Sequence, residues 1–136
     1  MQFTNLPAAG MLAIATALVA ACASGPGVPN QPYAQFEPAQ GGLDADTRPA
    51  FLLEVDGEVR SIERNDPVQP GLRKLVLSVP AGNNVAMGYG GSRRLAVTID
   101  AKPCVRYYLA ARRSADDARE WRAFVAGTEA ISGCRA

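Results

Sequence analysis

Residues 94–99 read RLAVTI, with Leu95, Val97 and Ile99 on one side of an extended chain and Arg94, Ala96 and Thr98 on the other. A period of two is the pattern of a strand with one buried face. It conflicts with the period of about 3.6 that an amphipathic helix needs. Residues 72–79 repeat it with Leu75, Leu77 and Val79 on one face, and Pro80-Ala81-Gly82-Asn83-Asn84 ends the run. Residues 104–111 follow a turn at Lys102-Pro103 and place Val105, Tyr107, Leu109 and Ala111 opposite Cys104, Arg106, Tyr108 and Ala110. Tyr107 and Tyr108 therefore go to opposite faces, one buried and one exposed.

The punctuation agrees. Phe51, Leu53 and Val55 alternate with Leu52, Glu54 and Asp56, and Asp56-Gly57 then precedes Glu58-Val59. An Asp-Gly pair between strand residues predicts a tight hairpin, because glycine accepts the positive φ such a turn needs. The return strand is expected over residues 58–63. Asn65-Asp66-Pro67 and Gln69-Pro70-Gly71 are turn sequences. Residues 85–92 (VAMGYGGS) suggest a short strand and a loop, and residues 114–120 a polar loop or one helical turn capped by Ser114. A last long strand runs from Trp121 towards Ile131. Six or seven short strands without helical periodicity predict an all-β fold, a small antiparallel β-sandwich. A small closed β-barrel is the alternative arrangement of the same strands.

The amino-terminal segment is of another kind. Residues 1–21 carry no charged side chain, and residues 6–21 read LPAAGMLAIATALVAA. The run is shorter than the roughly 20 apolar residues of a membrane span, and small residues follow it as at a signal-peptide cleavage site. It ends in Val19-Ala20-Ala21-Cys22. This tetrapeptide resembles the lipobox of bacterial lipoproteins: an aliphatic residue, two small residues and a cysteine. The resemblance implies a diacylglyceryl thioether on Cys22, cleavage before it and acylation of the new amino group. The stretch before the apolar run departs from the usual signal pattern in having no Lys or Arg. An ordinary cleaved signal with an incidental cysteine, or a buried helix, are the alternatives. Ala23 and Ser24 are not the aspartate that, by the same analogy, retains a lipoprotein in the inner membrane. The expected location is the periplasmic face of the outer membrane.

Residues 23–49 are rich in Pro, Gly, Ala and Gln and show no apolar period. They read as a semi-extended linker holding the domain several nanometres off the membrane, with Tyr33 and Phe36 as stray linker aromatics or, in the alternative, docked on the domain or a partner. The expected organisation is a signal at 1–21, lipidated Cys22 and linker at 22–49, and the folded domain at 50–136. Of three cysteines, lipid would take one. Cys104 and Cys134 remain, and an oxidising compartment favours their pairing. Such a bond is worth about 3–4 kcal/mol in the chain-entropy account. Two free thiols are the other reading.

The chain contains no histidine, which excludes Ser-His-Asp and Cys-His catalysis, histidine metal ligation and histidine pH switching. Fourteen basic against thirteen acidic residues give no reason to expect nucleic acid. No clustered cysteines or calcium-loop pattern suggest a metal, and no cofactor is expected. Gly88-Tyr89-Gly90-Gly91-Ser92-Arg93-Arg94 lacks phosphate-loop spacing. Its aromatic and arginines nevertheless make Met87, Tyr89, Arg93 and Arg94 the expected partner-binding patch. Asp116, Asp117 and Glu120 sit beside Arg119 as a solvated charge cluster.

Val55-Asp56-Gly57, then Pro70-Gly71-Leu72-Arg73-Lys74-Leu75-Val76-Leu77, then a strand ending Tyr107-Tyr108-Leu109, resemble PEGA-type and related prealbumin-like β-sandwich modules over most of residues 50–112. The resemblance implies a non-enzymatic envelope module. The expected function is a lipid-anchored binding or assembly module with an envelope protein partner. A pilotin-like accessory lipoprotein and a periplasmic inhibitor of an envelope hydrolase are the alternatives.

Overall fold

Leu75, Leu77 and Val79 are fully buried in one strand, and Leu109 joins their core from another. The computed structural model describes residues 30–61, 65–80 and 92–136. Cys22 and its lipobox lie outside these residues, as do Met87, Tyr89, the short strand expected after residue 84 and the end of the return strand expected over 58–63. The described residues form eight strands: β1 (Gln35–Pro38), β2 (Thr47–Pro49), β3 (Phe51–Val55), β4 (Glu58–Val59), β5 (Gly71–Val79), β6 (Arg93–Ala101), β7 (Val105–Arg113) and β8 (Trp121–Ala130). Two four-stranded sheets share one core without closing into a barrel. One has the order β4-β3-β5-β6. In the other, β7 is central, with β8 along one edge and β1 and β2 along its opposite edge. The fold is the small all-β sandwich that the alternation predicts.

The two faces of β7 separate as expected. Tyr107, Leu109 and Ala111 are buried in the core, while Arg106 and Tyr108 look outward and are half-buried. In β3 the alternation breaks. Leu52 pairs with Leu77 and Val55 pairs with Leu75, so three steps on β3 oppose two on β5. This bulge inserts one extra residue and puts Leu52, rather than Leu53, against the core. A bulge shifts the inward set by one position, which strict alternation cannot anticipate.

The larger departure is in residues 30–49, which are part of the fold and not a linker. β1 runs parallel to β7, pairing Phe36 with Tyr107, and β2 runs antiparallel to it, pairing Arg48 with Ala111. Tyr33, Ala34 and Phe36 are buried, and the Phe36 ring stacks on Tyr107 with centroids 5.3 Å apart. Each short strand covers half of one β7 edge. The Leu109 carbonyl accepts from Ala39 N at 2.8 Å and Ala50 N at 3.1 Å, where the two halves meet. A bare β7 edge would leave its carbonyls without backbone donors, a cost that this arm removes. The folded unit therefore reaches back past residue 50 to the arm.

The hairpin at Asp56-Gly57 forms with φ of 50° and 86°, the positive pair of a two-residue turn. Arg73 clamps this turn to the entry of β5. Its Nη1 lies 2.8 Å from Asp56 Oδ2, while Nε and Nη2 donate to the carbonyls of Gln69 and Pro70 at 2.8 Å. Asp56 Oδ1 also accepts the Lys74 amide at 2.9 Å. The Arg73 bond first, and the Lys74 amide next, hold the Asp56 pKa below its ordinary 3.8. A depressed folded-state pKa stabilises the fold above the unfolded value and loses that contribution as pH falls through the folded one. Asp56→Asn keeps the turn conformation and one acceptor but cannot titrate. Its urea midpoint is expected to fall less steeply than that of the parent from neutral pH to the acid side of 3.8. Parallel curves would remove Asp56 from the acid response.

Cys104 and Cys134 are bonded to each other. Around them the Cys104 amide donates to Tyr33 O at 2.7 Å, and the Ile131 amide donates to Cys104 O at 2.9 Å. The disulfide thus gathers the entry of the arm, the start of β7 and the chain after β8 at one end of the sandwich.

Candidate functional site

The outward positions of β7 assemble a polar cluster from four separate segments. In register, Arg106 lies between Gln35 on β1 and Glu129 on β8, and Tyr108 lies between Glu37 and Gly127. Arg106 Nε sits 3.0 Å from Glu37 Oε1, its Nη2 donates to Gln35 Oε1 at 3.1 Å, and its Nη1 lies 3.4 Å from Glu129 Oε2. Tyr108 donates its hydroxyl to Glu129 Oε2 at 2.5 Å, and Asn65 Nδ2 donates to Glu37 Oε1 at 3.0 Å. The Glu37 side chain is only 14% exposed, and these donors offset the cost of burying it. The bond to Glu129 raises the Tyr108 pKa, with Arg106 acting against it. The contact with Tyr108, ahead of the attraction of Glu37, raises that of Arg106. Two carboxylates against one guanidinium leave the cluster with a net charge of about −1.

Beside it lies a cleft of about 480 Å³. Glu37 and Tyr108 line it from the sheet, Gly41, Gly42 and Leu43 from the β1–β2 loop, and Ala126 and Gly127 from β8. Gly41 and Gly42 have φ of 65° and 60°, which lets the loop turn over the sheet. On β8, Tyr108 opposes Gly127 but Leu109 opposes Val125, so Ala126 is the extra residue of a bulge. Gly127 carries no side chain across from the Tyr108 ring. The face continues to Phe124, over which the Arg112 guanidinium sits at 5.5 Å. Arg112 and Arg122 are directly opposed, and Asp44 at 3.2 Å and Glu120 at 3.0 Å offset their repulsion.

Of the expected patch, Arg93 and Arg94 fall among the described residues. Arg93 and Arg94 open β6 as adjacent residues, so their side chains leave on opposite faces. Arg93 donates to Arg119 O at 2.7 Å, and Arg94 is paired with Glu54. Asp117 and Glu120 stabilise the loop before β8, where Asp117 Oδ1 accepts the Arg119 amide at 2.8 Å. Among the described residues, no group of three or more His, Cys, Asp or Glu is placed to hold a metal ion. The sequence pattern does not single out Glu37, Glu129 or the joint role of Arg106 and Tyr108. The outward parity of Arg106 and Tyr108 is visible in it, but their partners lie 71 and 21 residues away in the chain.

No protein-family model, curated protein or solved structure matches the chain.

Proposed function

We propose that this chain is a lipid-anchored binding module of the cell envelope, held on the periplasmic face of the outer membrane through Cys22, and that it acts by binding rather than catalysis. The observation that carries the binding reading is the outer face of the β1/β2-β7-β8 sheet. There a polar cluster fixed by mutual bonds borders a cleft with an aromatic wall. Groups held in place before a ligand arrives lose little freedom on binding. Both carboxylates are tied to the same guanidinium, which suits recognition better than proton transfer. The resemblance to PEGA-type modules supports the same reading.

The lipobox supports the anchor. From Cys22 to Asn30 the chain spans at most about 29 Å at roughly 3.6 Å per residue. Tyr33 enters the fold beside Cys104, so the disulfide end of the sandwich would lie nearest the bilayer. The test is metabolic fatty-acid labelling and fractionation of the full chain and of Cys22→Ala. The parent is expected to carry label and sediment with outer membranes, and the variant to lose both. A variant that still takes label, or a parent that never does, would overturn the anchor.

A further inference from the structure

We infer that the cleft beside Tyr108 is a saccharide-binding subsite. The inference rests on reading this face as a binding surface and is independent of the anchor.

Three features of the cleft converge on a sugar ring. Its volume of about 480 Å³ lies within the range of small-ligand sites. Its walls are mixed, with the Tyr108 ring, Leu43 and Ala126 beside the Glu37 carboxylate and Gln40. A pyranose has the matching character, with apolar C–H faces and hydroxyl donors around its rim. The Glu37 carboxylate also retains acceptor capacity after its bonds to Arg106 and Asn65, because a carboxylate has about four lone-pair sites. Finally, Gly127 places no side chain across from the Tyr108 ring, as where a ligand approaches a sheet closely.

Charge narrows the class. Glu37 and Glu129 outnumber Arg106, so the cluster repels anions. Neutral or amine-bearing sugars fit, and uronic acids and phosphosugars do not. A second hollow, about 430 Å³ beside Asp56 and Arg73, has no aromatic wall and offers no comparable platform.

The experiment is calorimetric titration of the full chain in detergent with a neutral N-acetylhexosamine disaccharide, a uronic-acid disaccharide and a lysine tripeptide. Saturable binding of the neutral disaccharide in the millimolar range or tighter is expected, with none for the uronic acid. Tyr108→Ala should weaken it about tenfold, as loss of an aromatic anchor does. Tyr108→Phe, which keeps the ring, should weaken it far less, and Asp116→Ala on the distant loop should leave it unchanged. Far-ultraviolet circular dichroism of each variant separates loss of binding from loss of fold. Disaccharide binding indifferent to Tyr108→Ala would overturn the assignment. So would Tyr108-dependent binding of the tripeptide alone, which would leave the face a binding surface for cationic peptides. Binding of none of the three would overturn both the subsite and the reading of the face.

Discussion

A chain that starts at Ala50 is expected not to fold, whereas one that starts at Asn30, which keeps β1 and β2, should unfold cooperatively. The shorter chain lacks β1 and β2, and with them the buried Ala34 and Phe36. Loss of a buried phenylalanine side chain alone costs about 3–5 kcal/mol. Removal of the arm also uncovers Tyr107, which stacks on Phe36, and Val68, whose amide donates to Ala34 O at 2.9 Å. It strips the β7 edge of seven paired positions, four with β1 and three with β2. Native domains have a total stability of roughly 5–15 kcal/mol, so these losses together abolish it. Urea unfolding followed by circular dichroism reads the result. A cooperative transition in the chain from Ala50, with a midpoint near that of the parent, would return the arm to the status of a linker.

What sequence could and could not reveal follows from range. β5, β6 and β7 are nine residues each, and their core faces alternate without interruption, so their apolar sets were legible. The Asp56-Gly57 turn was legible because its chemistry is local. The arm was not. β1 and β2 have four and three residues, both end in proline, and together they bury one large apolar side chain, too little for a period to register. Their stability comes from the β7 edge, a partner 61 to 71 residues away in the chain, from Pro49–Ala110 to Gln35–Arg106. The Arg106 cluster was hidden for the same reason, since β7 shows which side chains point outward but not which neighbours meet them. Arg94 shows the same limit, since its pairing with Glu54 ties strands β3 and β6 across a distance that no local pattern announces.

Replacing both Cys104 and Cys134 with alanine is expected to lower stability by about 3–4 kcal/mol, the value for closing a loop of this length in the chain-entropy account. The bond joins positions 30 residues apart, and the loop it closes contains all of β8. The loss should not be uniform. Ile131 is buried at the end of β8, and its amide donates to Cys104 O, so the last residues are held mainly through this junction. The Cys104 amide also donates to Tyr33 O, which carries the loosening into the entry of β1. The β5–β6 ladder pairs nine positions without touching the junction, and it should open only with global unfolding. Hydrogen exchange distinguishes these levels. Protection at Ile131 and Ala34 should fall further in the double variant than protection at Leu75 and Leu77. Equal losses at all four amides would mean that the disulfide acts only on the unfolded chain. Unchanged stability would mean that the backbone bonds around Cys104 hold the junction without it.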